Sequence, residues 1–238
     1  MTTTYIPPKA MFIFAHPDDI EFVAGGTAAL WAKHGSEITY VMVTDGNVGS
    51  HEKDMTMDRL IQTRRDEQRA AAEIAGVKEC IFLGYHDGLV EATLSLRKEL
   101  VRLIRQHKPN AVVCFDPTDF FISDTYINHP DHRAVGKATI EAVFPATEMR
   151  LLYPELEAEG LTPHKPNYIY VTSSETANYY IDVTEVMDIR LEALKQHKSQ
   201  FGDWDPTQMV HEWNTENGKK VGFQYAESYR RITLKEPE

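Results

Sequence analysis

The sequence is poor in three features, and each scarcity excludes a class of protein. Only two cysteines occur among 238 residues. Cys80 and Cys114 both lie inside apolar runs, so we expect buried free thiols and no disulfide scaffold. No apolar run approaches the roughly 20 residues needed to cross a bilayer. Basic residues are also few, since 25 Lys and Arg face 36 Asp and Glu, giving a formal net charge of −11. Nucleic acid is therefore not an expected partner.

The chain also lacks the marks of secretion and of division into domains. Its first residues have no basic segment followed by a long apolar one, so we expect no signal peptide and a cytoplasmic location. A length of 238 residues suits one α/β domain. We expect 1–238 to form that single domain, with a core at about 10–200 and a segment at 201–238 that could cover the active site.

Apolar runs alternate with amphipathic, helix-favouring stretches over most of the chain. This order predicts a Rossmann-like α/β fold, a mostly parallel sheet with helices on both faces and a less regular C-terminal third. The predicted strands are Ala10–Ala15, Glu37–Thr44, Cys80–Leu83, Ala111–Phe115, Tyr168–Thr172 and Tyr179–Val183. The predicted helices are Gly25–His34, Asp58–Ala75, Leu94–Gln106, Asp131–Val143 and Glu185–His197.

The segment Gly202–Gly222 mixes Trp, Asn, Pro and Gly, and this composition predicts a loop. Aromatic residues in and after it are consistent with a substrate wall and equally with core or lid packing. Those residues are Trp204, Trp213, Phe223 and Tyr225.

Two short motifs combine histidine and carboxylate side chains around a proline. The first is His16-Pro17-Asp18-Asp19, directly after the first predicted strand, and the second is His129-Pro130-Asp131-His132. The fourth predicted strand leads into the second motif through a loop. Ligands of parallel α/β sheets bind beyond the carboxyl ends of the strands, so both motifs should meet at one edge, with Asp45 in the same cleft.

Imidazole and carboxylate ligands suit zinc, and a hydrolytic zinc site has three protein ligands and an open position for water. Coordination lowers the pKa of that water towards about 7. A neighbouring carboxylate that does not bind the metal can then take its proton. The same two-histidine, one-carboxylate set also describes the facial triad of non-haem iron enzymes, so Fe²⁺ or another divalent metal stays open.

The motifs resemble those of the LmbE-like, or PIG-L-type, metal-dependent de-N-acetylases. The likeness is carried by Ala-His-Pro-Asp-Asp-Ile-Glu-Phe with Gly25-Gly26, by Thr44-Asp45-Gly46, by Arg64-Arg65-Asp66-Glu67 and by His129 to Gly136, with weaker likeness at His197–Gln200 and Ala226–Tyr229. Members of that family are Rossmann-like hydrolases of acetamido groups, often on N-acetylglucosamine derivatives. The resemblance therefore implies zinc-water attack on an amide carbonyl of a small N-acylated substrate.

Carried over by position, the resemblance implies a role for each residue of the motifs. The implied zinc ligands are His16, Asp19 and His132. Asp18 is the implied general base, His129 the group that stabilises the tetrahedral intermediate or assists the amine, and Asp131 the residue that orients His129. Arg64 and Asp45 are candidate substrate contacts, with Arg65 as the alternative to Arg64.

Two other functional classes are compatible with the same residues. One is a non-haem iron oxidoreductase that uses the same triad. The other is a binding module that kept the fold without catalysis. The extra carboxylate of Asp18 favours hydrolysis, where a base has an obvious task. The sequence leaves the exact substrate and the oligomeric state open, and a homo-oligomer is compatible with it.

Overall fold

The computed structural model describes residues 5–172 and 177–237. Its main sheet is built from seven strands, two of which consist entirely of buried residues. These strands are β1 (Lys9–Phe14), β2 (Glu37–Thr44), β3 (Glu79–Tyr85), β4 (Ala111–Phe115), β7 (Tyr168–Thr172), β8 (Tyr179–Asp182) and β9 (Ala226–Thr233). A small separate hairpin consists of β5 (Phe121–Ser123) and β6 (Tyr126–Ile127).

The strand order in the sheet is β3-β2-β1-β4-β7-β9-β8. The first five of these strands are parallel, while β9 runs antiparallel to both of its neighbours. From β1 the chain first builds outward through β2 and β3, then crosses to the other side of β1 to form β4. The order thus reverses between β1 and β4, which is the topological switch point where open α/β sheets bind ligands.

Helices pack around this sheet. They are α1 (Asp19–Val23), α2 (Gly25–Lys33), α3 (Met57–Ile74), α4 (Leu94–His107), α5 (Pro130–Glu141), α6 (Pro154–Ala158), α7 (Met187–Leu194), α8 (Lys198–Phe201) and α9 (Thr207–Val221). A π-helical turn, Ala142–Ala146, extends α5, and a 3-10 turn, Thr184–Val186, precedes α7. The predicted Rossmann-like α/β fold is confirmed.

The core is one continuous set of buried side chains centred on the parallel strands. Five of the six residues of β1 and all of β4 are buried, because helices cover a parallel sheet on both faces. At the carboxyl ends of these two strands, Phe14 and Phe115 meet edge to face with ring centroids 4.7 Å apart. The two rings therefore pack against each other at the switch point. Both cysteines are free, with Cys114 buried and Cys80 half-buried.

The prediction of a loop at Gly202–Gly222 is wrong, because most of that segment forms α9. Gly218 lies inside the helix, where a Cβ would come within 2.6 Å of the carbonyl oxygen of Phe223. Glycine is required there for close approach of two backbones. The last strand, β9, was also not predicted, and it lies inside the sheet between β7 and β8. Within the described ranges, every helix is too short or too polar to span a bilayer.

Candidate metal centre and active site

Both histidine motifs lie at the carboxyl edge of the sheet, beside the switch point. The first follows β1, with Asp18 in the N-cap position of α1 and Asp19 as its first residue. The second opens α5, with His129 as N-cap and Pro130 at the first helical position. Proline suits that position because its missing N–H would have no helical partner. Two segments more than 100 residues apart in the chain are thereby brought together.

His16, Asp19 and His132 present their ligand atoms to one another. His132 Nε2 lies 3.3 Å from His16 Nδ1. The Asp19 carboxylate closes the triangle, with Oδ1 3.1 Å from His132 Nε2 and Oδ2 3.4 Å from His16 Nδ1. Ligands held about 2.0–2.1 Å from a tetrahedral ion lie about 3.3 Å apart. The donor set and its spacing therefore fit a divalent cation.

The other ring nitrogen of His16 is held by two carboxylates. His16 Nε2 lies 3.1 Å from Asp87 Oδ1 and 3.3 Å from Asp131 Oδ2. A proton on Nε2 satisfies these acceptors and leaves the lone pair on Nδ1, the nitrogen that faces Asp19. Metal-binding histidines are commonly oriented in this way by a carboxylate behind the ring.

The Asp131 carboxylate thus contacts His16, whereas the resemblance implied that it orients His129. Its carboxylate contacts His16 and accepts backbone hydrogen bonds from Gly88 (2.7 Å) and Val90 (3.2 Å). Its link to His129 is through the backbone, since the Asp131 N–H donates to His129 Nδ1 at 3.2 Å. That bond makes Nδ1 of His129 an acceptor, so a neutral ring carries its proton on Nε2.

Electrostatics at the edge favour positive charge on the cluster. Burial acts to lower the pKa of His16, but Asp19, Asp131 and Asp87 outweigh it and hold that pKa well above its usual range. Burial acts to raise the pKa of Asp19, and His132 and His16 outweigh it in the opposite direction. For His129, burial and the nearby histidines both lower the pKa. The field that favours an imidazolium at His16 also favours a bound cation.

His132 is seated by the close approach of α5 to β4. Its ring stacks on Phe115, with centroids 4.1 Å apart and planes inclined by 11°. A Cβ on Gly136, one turn further along α5, would lie 2.5 Å from the carbonyl oxygen of Phe115. The glycine in the second motif therefore allows the close approach of helix and strand that places His132 in the cluster.

Asp18 lines the same cavity as the cluster and pairs with Arg64. Arg64 Nη2 lies 3.1 Å from Asp18 Oδ2, and the guanidinium is buried. Burial raises the pKa of Asp18, while the positive charge of Arg64 acts against that rise. Asp18 adopts φ = 100°, and this turn of the backbone separates its carboxylate from that of its neighbour Asp19.

The structure distinguishes the two arginines that the sequence left as alternatives. Arg64 lines the cavity beside Asp18. Arg65 instead makes a bidentate pair with Asp45, with N–O distances of 2.7 and 2.9 Å. Both oxygens of the Asp45 side chain are thereby engaged by α3. The candidate role of Asp45 in contacting substrate is not supported by this placement.

A cavity of about 1010 Å³ opens over the cluster. Its lining includes residues of both histidine motifs and residues of β6, α8 and α9. Of the aromatic residues left open by the sequence, Trp204 and Trp213 line the cavity, whereas Tyr225 packs on His211 with ring centroids 4.8 Å apart. The segment predicted to cover the site therefore borders it, as a helix.

Several residues of the site were missed from the sequence. Asp87 lies in an Asp-Gly turn soon after β3, so the strand-end rule that found the histidine motifs could have found it too. Tyr126 lines the cavity from β6, and its pKa is raised by burial and by Asp19. Gln68 and His197 are buried behind Asp18, and no local pattern marks them as part of a site.

An imidazole and carboxylate cluster at the switch point of an α/β sheet, with the Asp18 carboxylate beside it, defines a metal-dependent hydrolase. A family model described as PIG-L: GlcNAc-PI de-N-acetylase matches residues 11–143. The chain therefore belongs to the PIG-L de-N-acetylase family, as the motifs predicted, and it is a deacetylase.

Three similar proteins support this assignment. Diacetylchitobiose deacetylase of Thermococcus kodakarensis is 33% identical over 229 residues, covering 94% of this chain and 83% of the relative. A probable N-acetyl-alpha-D-glucosaminyl L-malate deacetylase 2 of Bacillus anthracis is 29% identical over 203 residues, covering 80% of each. The structure of N,N'-diacetylchitobiose deacetylase from Pyrococcus horikoshii superposes with a TM-score of 0.88 at 29% identity, covering 95% of this chain and 84% of that one.

Proposed function

We propose that this deacetylase is a zinc enzyme that hydrolyses the acetamido group of an N-acetylglucosamine unit joined to a second group. The observation that carries the proposal is the placement of the Asp18 carboxylate in the cavity, beside the His16–Asp19–His132 cluster and outside it. The named relatives act on diacetylchitobiose and on an N-acetylglucosaminyl malate. In both compounds a second unit is attached to the acetylated sugar.

The proposed ligands are His16, Asp19 and His132, and the proposed metal is zinc because two imidazoles and one carboxylate at tetrahedral spacing suit it. When bound, the ion supplies Lewis acidity, polarising a carbonyl and lowering the pKa of water. The alternative of iron redox chemistry gains no support from the cavity, where a hydrolytic base stands next to the cluster. The alternative of a binding module without catalysis is disfavoured because every reacting group is present.

Asp18 is the proposed general base. Its carboxylate accepts a proton from the attacking water as the oxygen adds to the acetamido carbonyl. Collapse of the tetrahedral adduct then breaks the carbon–nitrogen bond, and the same proton passes from Asp18 to the departing nitrogen. Acetate and a free amine result. Arg64 holds the Asp18 carboxylate at 3.1 Å, which fixes the base for both transfers.

His129 is the proposed stabiliser of the oxyanion. Its Nδ1 accepts from the Asp131 backbone N–H, so the proton of the neutral ring is on Nε2 and can be donated. The lowered pKa of His129 favours that neutral form. A fixed N–H donor directed at developing negative charge typically contributes about 10²- to 10³-fold in rate.

The cavity supports a substrate larger than one sugar. Its volume of about 1010 Å³ lies at the upper end of the roughly 300–1,000 Å³ found for sites of drug-sized ligands. Trp204 and Trp213 are about half exposed where they border it, and exposed indole rings can cover the apolar face of a second sugar or other attached group.

The test is acetate release by the zinc-loaded protein from N,N'-diacetylchitobiose and from free N-acetylglucosamine, without oxygen. We expect turnover of both, with a kcat/KM at least about tenfold higher for the disaccharide, because it fills more of the cavity. A preference for the monosaccharide would overturn the larger substrate. Absence of acetate release from both sugars would overturn hydrolysis. The cytoplasmic location and the oligomeric state stay predictions from the sequence.

A further inference from the structure

The peptide group between Pro17 and Asp18 is gripped at both ends by one helix. Arg64 Nη2 donates to the Pro17 carbonyl at 2.6 Å, and the Asp18 N–H donates to Gln68 Oε1 at 2.9 Å. Arg64 and Gln68 are four residues apart in α3, so they lie on the same face one turn apart. Both side chains are buried. One helical face therefore fixes the plane of a single peptide.

That peptide leads into a strained residue. The φ of Asp18 is 100°, and among the described residues the only other non-glycine residue with positive φ is Lys108. Such a conformation is unfavourable for a residue with a side chain and persists only where the surroundings impose it. This conformation directs the carboxylates of Asp18 and Asp19 to different sides. Without the hydrogen bonds to Arg64 and Gln68, the backbone would lower its free energy by relaxing to negative φ.

Gln68 can hold Asp18 only if its amide has one orientation, and two buried groups set that orientation. Its Nε2 lies 3.1 and 3.2 Å from the two carboxylate oxygens of Glu21, so Oε1 must face the Asp18 N–H. Glu21 is in turn 3.1 Å from His197 Nε2. All three side chains have no exposed surface. If the amide were flipped, its NH₂ group would face the Asp18 N–H and its oxygen would face the Glu21 carboxylate.

We propose that Gln68 is a positioning residue for the general base, held in register by Glu21 and His197. It touches neither the cluster nor the cavity, and acts by imposing the φ of Asp18 that aims the carboxylate. The inference rests on the proposed role of Asp18. Displacing a reacting group by about 1 Å can cost about 10²-fold in rate, so a loosened Asp18 should lower kcat while binding of metal and substrate persists.

The test uses four variants of the full chain, assayed for acetate release with metal content measured on the same samples. Gln68→Met removes the hydrogen bonds of residue 68 to the Asp18 N–H and to the Glu21 carboxylate. We expect kcat to fall about 10- to 100-fold, with KM within threefold and one metal per chain. Gln68→Glu places a second carboxylate against that of Glu21, and kcat should fall by a similar factor. The exchange Gln68→Glu with Glu21→Gln restores each donor to an acceptor and should recover kcat to within about fivefold. Gln62→Met, exposed on the same helix, is the matched control.

A purely structural role would lower the melting temperature without rescue of kcat by the exchange. Unchanged kcat in Gln68→Met, or failure of the double variant to recover, would overturn the inference. A crystal structure of Gln68→Met gives a readout independent of activity, in which we expect Asp18 to leave φ near 100°. If the wild-type protein released no acetate, the proposed function would fail, whereas retained φ in that variant would refute the positioning role alone.

Discussion

The two histidine motifs contain the same kinds of residue, yet they are built by different means. The second is an ordinary helix start, with His129 as N-cap, Pro130 at the first position and the backbone of Asp131 closing the cap. The first turns through a strained Asp18 with no side-chain cap of its own. One motif is specified by local sequence, and the other is held by α3.

This difference explains how adjacent residues can do different tasks. In α5, helical spacing alone brings His129 and His132 to the same side, with ring centroids 5.3 Å apart. Asp18 and Asp19 are neighbours in sequence, and the positive φ of Asp18 lies between the proposed base and the proposed ligand. A division of labour inside four residues therefore depends on contacts from 46 and 50 residues away.

The largest effect is expected from His132→Ala, which removes a ligand from the locally specified motif. We expect bound metal to fall from about one per chain to near zero, and activity to fall on the order of 10³-fold or more, since both chemistries of the ion are lost. Metal analysis of the purified protein and acetate release measure this. His34→Ala, exposed on the far side of the chain's first helix pair, is the control. Normal metal content in His132→Ala would remove it from the ligand set.

An intermediate effect is expected from Asp131→Asn. The carboxylate holds His16 Nε2 and two backbone N–H groups, so the amide cannot satisfy all three. Loss of such a partner behind a ligand typically weakens metal binding about 10- to 100-fold. Competition with a chelator measures the affinity, with Glu141→Gln on the same helix as control. An unchanged affinity, together with a lowered kcat, would return Asp131 to the role of orienting His129.

The smallest effect is expected from Pro130→Ala. Because any residue can begin a helix whose N-cap is intact, the stability of the protein should fall by less than about 1 kcal/mol. Activity should stay within twofold. Thermal unfolding and acetate release check this. A large loss of activity would mean that the second motif also depends on an imposed backbone, and the contrast between the motifs would disappear.

Much of the fold follows from local patterns, because buried parallel strands leave a continuous apolar signal. The predicted bounds of β2 and β4 agree with the structure residue for residue. In contrast, β9 contains Glu227, Arg230 and Arg231, and these charged residues do not predict a strand in the interior of a sheet. Glu227 is nevertheless buried, with Arg190 2.9 Å away and two backbone N–H groups of α2 donating to it. Such a strand is stabilised by partners that no local pattern contains.

The candidate site divides in the same way. Residue types and strand ends locate the two motifs at one edge, and the resemblance assigns roles to them. Which carboxylate faces which histidine depends on tertiary packing, so the contact of Asp131 with His16 could not be predicted. The same holds for the pairing of Asp45 with Arg65, and for Gln68, whose neighbours in α3 give no hint of its place behind Asp18.

The proposed function requires that Asp19 holds the metal while Asp18 moves the proton. The most direct measurement is metal content and kcat, side by side, for Asp18→Asn and Asp19→Asn. We predict that Asp18→Asn keeps about one metal per chain and loses on the order of 10²-fold or more in kcat, whereas Asp19→Asn loses the metal and the activity together. Equal metal loss in both variants, or full turnover in Asp18→Asn, would contradict the claim.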